Sequence, residues 1–170
     1  MLRGMAWFHT SSDRFDLLDV VSIELGHGEA SIRAEVHADG KLRLVFGSGE
    51  EFMGYHRELP ARVSAAARNV LDVAAPLVGF LPRTEKEYPP GPGTVRMELC
   101  TSQAAYADAS RIPALEQGAS PVAPLWRAFS DLLGPLITVL FKAPAAPGHA
   151  RDASPALIRA RGLWSAPRGV

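Results

Sequence analysis

The side chains that could take part in catalysis are few and lie far apart in the sequence. Cys100 is the single cysteine of the 170 residues, and His56 and Glu98 could act as its base and its orienting acid. No spacing favours this set over others, and a lone cysteine in an apolar strand is more often a small packing residue. Cys100 and His56 are the candidate catalytic residues, while the sequence as a whole favours a protein that is not an enzyme.

A metal site is the second chemistry that the residue types suggest. His27, His37 and His56, together with a nearby glutamate, offer ligand types that zinc accepts. The first two lie at opposite ends of a predicted strand, separated by roughly ten residues at about 3.3 Å each, which is too far for one ion. The sequence contains no H-E-x-x-H motif, and we expect neither a metal nor another cofactor.

Nucleotide and nucleic-acid binding also lack their usual motifs. Residues 47–49, Gly-Ser-Gly, form neither a nucleophile elbow nor a phosphate loop. The outward positions Arg33, Lys41 and Arg43 are basic, but Glu35 lies among them and no aromatic pattern accompanies them. We expect no nucleic-acid partner.

Two regions contain residues that could contact a protein or a ligand. Residues 82–93, PRTEKEYPPGPG, are polar and rich in proline, which predicts a surface loop and excludes a helix or a central strand. If this loop binds, Glu85, Glu87 and Tyr88 are its candidate contact residues. Trp126, on a predicted helix, is a further candidate binding residue.

The composition is typical of an ordinary globular protein, with 47% hydrophobic and 21% charged residues. One cysteine allows no disulfide within the chain, which fits a reducing compartment. The net charge is zero, yet residues 1–60 carry ten acids against six bases and residues 142–170 carry one acid against five bases. The abundance of Ala, Arg, Gly and Pro suggests a GC-rich bacterial genome.

No segment predicts export or insertion into a membrane. Residues 5–8 form an apolar run that is too short for the core of a signal peptide. Residues 125–141 are the most apolar later stretch, but they contain Arg127, Asp131 and Pro135 and are shorter than a membrane span. We expect a cytoplasmic protein without a membrane partner.

A β-hairpin in residues 30–46 is the best-defined structural signal. Apolar and polar residues alternate on both sides of the turn, which is the period of a half-buried strand. A three-residue loop, 38–40, pairs Val36 with Leu42 and keeps the apolar side chains on one face, whereas a two-residue turn would mix the faces.

A preceding strand extends this hairpin into a meander. Residues 19–25 alternate in the same way, and a four-residue connection, 26–29, would pair Ile23 with Ile32. The sequence therefore predicts an antiparallel, three-stranded meander over about residues 19–47, with one apolar face that other elements must cover.

Helical periodicity appears twice after the meander. Apolar residues recur at helical spacing over about residues 60–75 and again over about residues 121–141. Gly134-Pro135 should kink or split the second helix, because proline removes an internal hydrogen bond. The apolar arc of this helix is wider than one sheet face requires, which suggests a homodimer through residues 121–141.

The remaining segments complete the predicted fold. Residues 94–101 alternate as a strand, whereas residues 50–57 and 103–111 are compatible with strand or helix. We predict an α+β fold in which an antiparallel sheet begins with the meander and both helices pack on one face. Residues 15–142 would form this single domain, after a weakly ordered lead-in, 1–14, and before a flexible tail, 143–170.

The expected function is binding to another protein. Its support is the lack of a catalytic or nucleotide motif, the acidic N-terminal half and the polar loop. An inhibitor or immunity-type partner of a toxin or enzyme is one instance, in which charge would steer association. The alternative is a small-ligand-binding protein or an enzyme with a pocket between the sheet and the C-terminal helix.

Overall fold

The fold is α+β and is built on one antiparallel sheet. The computed structural model of the chain describes residues 18–26, 31–85 and 89–142. The strands are β1 (Val20–Leu25), β2 (Ile32–His37), β3 (Lys41–Phe46), β4 (Glu51–Tyr55), β5 (Arg83–Thr84), β6 (Thr94–Cys100) and β7 (Ala105–Arg111). The helices are α1 (Ala61–Ala74), α2 (Ile112–Glu116) and α3 (Ala123–Lys142), with short 3₁₀ turns at His56–Glu58 and Ala75–Leu77.

The order of the strands in the sheet is β4-β3-β2-β1-β6-β7-β5. The first four strands follow one another as a meander, so the N-terminal strand β1 lies in the middle of the sheet. Its second neighbour, β6, comes from the distant half of the chain and pairs with it antiparallel. The edges of the described sheet are β4 and β5.

The hairpin between β2 and β3 has the predicted loop and register. Val36 pairs with Leu42, and the loop consists of residues 38–40. Gly40 adopts a positive φ of 93°, a conformation that glycine reaches without the steric penalty of a Cβ atom. The backbone N–H of Lys41 donates to the Asp39 side chain at 2.9 Å, which closes the turn.

The predicted register between β1 and β2 is wrong by two residues. Ile23 pairs with Ala34, and Ile32 pairs instead with Leu25. A slip of two keeps every side chain on its predicted face, so alternation alone could not detect the error. The predicted four-residue connection is too short, because β2 begins only at Ile32. Residues 27–30, part of the connection from residue 26 to residue 31, lie outside the described residues.

Both undetermined segments are strands. Residues 51–55 form β4, which ends in the 3₁₀ turn, and residues 105–111 form β7. The sequence of β7 has alanine at alternate positions, a residue that also favours helices. Pairing with the whole of β6 determines its strand conformation, and β5 then pairs with β7. The predicted order of elements contained neither β7 as a separate strand nor β5.

Both long helices pack on one face of the sheet, as predicted. The buried face of α1 is formed by Val63, Ser64, Ala67, Val70, Leu71 and Ala74. Helix α3 contacts α1 along its length and contributes the largest share of fully buried leucines. The apolar alternation of β1, β2, β3 and β6 supplies the other half of this core.

Helix α3 continues through Pro135, so of the two expected outcomes, a kink or a split at Gly134-Pro135, the split does not occur. Proline leaves the carbonyl four residues earlier without its helical donor, and that residue, Asp131, is exposed to water. Thr138 donates its hydroxyl hydrogen to the Gly134 carbonyl at 2.9 Å, which gives the helix a further bond at this point. Buried side chains before and after the proline hold both halves against the core.

The expected lead-in, 1–14, and the expected tail, 143–170, lie outside the described residues. Among the helices of the described part of the chain, none has the length and apolarity needed to cross a membrane.

The loop glycines Gly40 and Gly49 provide a test of the turn geometry. Both have positive φ, but a Cβ atom at Gly40 would lie 2.8 Å from Nε2 of His56, while at Gly49 it would meet nothing within 4 Å. We expect Gly49→Ala to destabilise the protein by about 1–2 kcal/mol through backbone strain alone. Gly40→Ala should cost about 1–3 kcal/mol more, because the added methyl group overlaps the imidazole.

Urea unfolding of the two variants and the wild type measures this difference. The double variant Gly40→Ala/His56→Ala should recover part of the excess loss. Equal unfolding free energies for the two alanine variants would contradict the close approach of His56 to the loop.

Candidate functional site

The candidate site lies on the outer face of the sheet, which we define as the face opposite α1 and α3. Strand pairing places one outward residue of each strand in a line across the sheet. This line, from β4 to β7, consists of Met53, Arg43, Glu35, Ser22, Glu98 and Ala107. The middle of this line, which lies on the central strands of the sheet, is polar.

The centre of the outer face is buried despite its polarity. Ser22 is 5% exposed, and Glu35, Glu98 and Arg96 are each 7% exposed. Ionised side chains lose much free energy on leaving water unless an opposite charge and hydrogen bonds replace the lost hydration. The partners of these groups therefore decide what the face can do.

Glu35 is surrounded by cationic or protonatable groups. Its carboxylate oxygens lie 3.0 Å from Nε of Arg33, 3.5 Å from Nη1 of Arg43 and 3.4 Å from Nε2 of His37. A carboxylate held in this way is an acceptor for several donors at once.

Arg43 connects this cluster to the edge strand. It bonds both oxygens of Glu51, with Nε at 2.7 Å and Nη2 at 3.2 Å. The hydrogen bonds to Glu51, reinforced by the charge of Glu35, raise the pKa of Arg43 above its ordinary value. The same bonds lower the pKa of the Glu51 carboxyl group. Both groups are therefore ionised near neutral pH.

On the other side of β1, Glu98 pairs with Arg96 on its own strand. Nη2 of Arg96 donates to Oε2 of Glu98 at 2.9 Å, and the Cys100 thiol lies 3.5 Å from Oε1 of the same carboxylate. Burial, followed by the negative charge of Glu98, raises the pKa of the Cys100 thiol to about 11. The thiolate is the nucleophilic form, so Cys100 is poorly suited to nucleophilic catalysis at neutral pH.

The structure does not bring the two candidate catalytic residues together. His56 follows β4, and Cys100 ends β6, so four strand spacings of about 4.8 Å, or roughly 19 Å, separate them. The His56 ring contacts α1, where Nδ1 lies 2.9 Å from Oγ of Ser64. His56 therefore links a turn to a helix, and Glu98 lies beside Cys100 instead of beside His56, where an orienting acid would have to be.

No three side chains of the types His, Cys, Asp and Glu converge to hold a metal ion within the described ranges. His37 lies on the outer face beside Glu35, and His56 lies beyond the edge of the sheet. His27, the third histidine of the metal hypothesis, lies outside the described residues.

A pocket of about 330 Å³ opens on the outer face at the opposite edge from β4. Its lining comes from the strands β5, β6 and β7 and from the proline-rich segment: Pro82, Arg83, Thr84, Pro89, Pro90, Gly91, Thr94, Arg96, Ala107 and Ala109. Arg96 joins this pocket to the charged centre of the face through its bond to Glu98. The pocket therefore lies on the face opposite the helices, whereas the sequence suggested one between the sheet and the C-terminal helix.

The candidate binding residues occupy separate places. Glu85 is exposed and directly follows β5, at the pocket side of the sheet. Trp126 is half-buried against the core on the helical side. Glu87 and Tyr88 lie outside the described residues. The structure therefore joins the proline-rich segment to a pocket but does not bring Trp126 into it.

Large apolar side chains are exposed at three positions in the described part of the chain. Met53 is 54% exposed and Tyr55 is 39% exposed, and both lie on the outer face of the edge strand β4. The guanidinium of Arg57 stacks over the Tyr55 ring at 5.1 Å from its centroid. Phe80, 71% exposed, lies apart in the turn after α1.

Sequence reasoning missed most of the buried charges. Arg96 and Glu98 alternate with Val95, Met97 and Leu99, so their outward direction was predictable. The position of β6 next to β1 could not be predicted from the sequence. This position aligns Glu98 with Glu35 across Ser22. Arg83 and Thr84 carried no periodic signal, because β5 has only two residues.

The chain matches no protein family model and no curated protein sequence.

Alkylation of Cys100 tests the electrostatics of the outer face. With a pKa of about 11 instead of the usual 9.0, the thiolate fraction at pH 8 is about 100-fold lower than for an unperturbed thiol. We expect the rate of reaction with iodoacetamide to rise about tenfold per pH unit from pH 7 to pH 10, without levelling off.

Glu98→Gln should increase the rate at pH 8, because the carboxylate contributes to the raised pKa. The increase should be smaller than that caused by unfolding in urea, because burial is the larger cause. A rate that levels off at or below pH 9 in the folded wild type would contradict the buried environment of the thiol.

Proposed function

We propose that this protein acts by binding another protein, and that an extended segment of the partner adds to the sheet at β4. The single observation that carries this proposal is the open edge of β4, where exposed apolar side chains accompany backbone groups that face away from β3. Strand addition of this kind obtains affinity from main-chain hydrogen bonds and specificity from alternate side chains.

The backbone argument starts from the bonds at the two ends of β4. Phe46 donates its N–H to the Glu50 carbonyl, and His56 donates its N–H to the Gly40 carbonyl, each at 2.9 Å. Antiparallel bonding alternates along a strand, so Phe52 and Gly54 also bond to β3. The intervening residues Glu51, Met53 and Tyr55 then direct their N–H and C=O groups to the open edge, where the described part of the chain provides no neighbouring strand.

The side chains of Met53 and Tyr55 add exposed apolar surface to this edge. Met53 and Tyr55 lie next to each other on one face and are among the most exposed large apolar side chains of the described residues. Methionine adapts its shape to different partners, and tyrosine combines apolar area with a polar end. A partner strand with apolar residues at alternate positions would cover both.

The strand carries few of the features that protect natural sheet edges. Proteins commonly protect an edge with lysine, proline, a bulge or an inward-pointing charge. The sequence of β4, EFMGY, has a single charge, Glu51, and Arg43 already neutralises it. An edge left in this state supports a role in pairing.

An inhibitor or immunity-type protein is one instance of this proposal. Such a protein would hold an extended loop of its target enzyme or toxin against β4. The acidic excess of residues 1–60, which include β4, supports steering of a basic target towards this edge.

The wide apolar arc of α3, which suggested a homodimer from the sequence, does not support dimerisation. The wide apolar arc of this helix packs against the sheet on one side and against α1 on another. Only Pro124, Arg127 and Asp131 are exposed along residues 123–140 of the helix. The width of the arc therefore needs no second copy of the chain.

Selection of peptides on the wild-type protein tests strand addition, with a displayed library of random peptides as the probe. The selected peptides should have apolar residues at alternate positions. Met53→Pro removes one outward N–H without disturbing the bonds to β3, since proline is tolerated at such edge positions. We expect it to weaken peptide binding at least about tenfold, whereas the control Met53→Ala, which keeps the N–H, should weaken it less.

Amide hydrogen exchange and N-methylated peptides provide the complementary readout. Bound peptide should slow exchange at Met53 and Tyr55, and methylation of alternate peptide nitrogens should abolish binding. Equal binding to the wild type and to Met53→Pro, with unmethylated and methylated peptide alike, would rule out strand addition. A dimer that depends on the Met53 N–H, detected by light scattering, would replace the partner protein with a second copy.

A further inference from the structure

We propose that two copies of this chain pair with each other through β4 when no partner segment is bound. The two strands would run antiparallel about a two-fold axis at Met53 and join two seven-stranded sheets into one. This inference rests on the proposed strand addition, because it uses the same open edge. It adds regulation of that edge, since a partner segment must displace the second copy.

The outward backbone groups of β4 select one register. Glu51, Met53 and Tyr55 direct their N–H and C=O groups away from β3. In the antiparallel register that places Met53 opposite Met53 of the second copy, Glu51 lies opposite Tyr55, and every such pair exchanges both of its hydrogen bonds. A shift of two residues in either direction leaves one outward residue of each strand without a partner.

On the helix side of β4, the shapes of two residues are complementary in this register. Phe52 of one copy lies opposite Gly54 of the other. Within one chain the Phe52 ring already extends over Gly54, because a Cβ atom at Gly54 would lie 3.2 Å from Cζ of the ring. Each ring therefore ends beside Phe52 of the second copy, at a diagonal spacing that aromatic side chains can span.

The backbone conformation of Gly54 does not itself require glycine. Its φ is not positive, in contrast to Gly40 and Gly49. Glycine weakens a strand, and within strands it often marks a place where another backbone approaches closely. The missing side chain leaves room for the Phe52 ring and keeps the helix side of the edge open to a second strand.

On the outer face, opposite charges meet at both ends of the paired strands. Glu51 lies opposite Tyr55 of the second copy, and the guanidinium of Arg57 covers that ring at 5.1 Å from its centroid. Opposite residues have Cβ atoms about 4.5–5.5 Å apart, so the Glu51 carboxylate can reach this guanidinium. Within one chain Arg57 has only a long, exposed ion pair with Glu58, at 4.0 Å, which contributes little.

Glu51 keeps its bonds to Arg43 in this arrangement. Each carboxylate oxygen accepts one bond from Arg43, and each has a second lone pair for a donor of the other copy. At the axis the two Met53 side chains, each 54% exposed in one chain, cover one another. The edge is therefore complementary to itself, which a two-fold interface requires.

The dimer should be weak, because the two copies meet along a strand of five residues. Such a contact is small for a protein interface, and we expect a dissociation constant on the order of 100 μM. Sedimentation equilibrium of the wild type over concentrations from about tenfold below to about tenfold above this constant measures it. A partner segment that fits β4 better can then displace the second copy.

Exchange of the two charges tests the register. Glu51→Lys brings like charges together at both ends of the dimer, and so does Arg57→Glu, so each variant alone should dimerise at least about tenfold more weakly. An equimolar mixture should recover the wild-type affinity within about threefold, because both ends of the mixed dimer again join opposite charges. The controls Glu116→Lys and Arg111→Glu, at exposed positions away from β4, should leave dimerisation unchanged. Circular dichroism verifies that the variants fold.

Cysteine cross-linking locates the axis. In a Cys100→Ala background, Met53→Cys should form a disulfide between copies under mild oxidation, because residues in a hydrogen-bonded pair have Cα atoms about 5.5 Å apart. Ser48→Cys, at an exposed position in the loop before β4, is the control for random collision. It lies far from the axis and should not cross-link.

The outcomes separate this inference from the proposed function. A wild type that is monomeric at about ten times the expected constant, or a mixture of charge variants that dimerises no better than either alone, would overturn the dimer. Selected peptides that still bind β4 would then support the partner protein without it. A dimer that persists in Met53→Pro, or one that selected peptides bind without dissociating, would also overturn the inference. A mixed dimer that forms while no peptide binds would instead remove the partner protein and leave the second copy.

Discussion

The central strand β1 has neighbours on both sides and is buried on both faces, and most of the architecture follows from this constraint. Its inward residues Val21 and Ile23 are fully buried against the helices, while its outward residue Ser22 is 5% exposed. The outward side chains on either side of Ser22 are Glu35 and Glu98, so two charges lie where water is scarce. Their burial requires guanidinium partners, which explains the density of arginine on this face.

Much of the fold could be predicted from the sequence, because the hairpin and the two long helices are specified by residues that are close together in the chain. The alternation in residues 32–46 determined the hairpin, and the positive φ of Gly40 agrees with the three-residue loop. Helical spacing located α1 and α3 within about two residues at each end. These signals depend only on neighbours in the chain and on which face must avoid water.

The wrong predictions concern features that depend on which strands pair and in which register. A two-residue slip between β1 and β2 preserves the faces, so Ile23 could be assigned either partner from its pattern alone. The strand β7 depends on β6 beside it, and its alanines favoured a helix equally well. In the candidate site, Glu98 lies beside Cys100, but the pairing of Cys100 with His56 assumed a proximity that the strand order excludes.

The same strand order has a consequence for how the chain folds. The meander from β1 to β4 and the hairpin of β6 and β7 each join residues that are close in sequence and can form quickly. The contact between β1 and β6 instead joins Val20 to Cys100, eighty positions apart. Closing so long a loop costs entropy before the pairing repays it, so docking of the two halves along β1 should limit the folding rate. Until that docking occurs, β1 is itself an open edge, with Val21 and Ile23 unprotected from other chains.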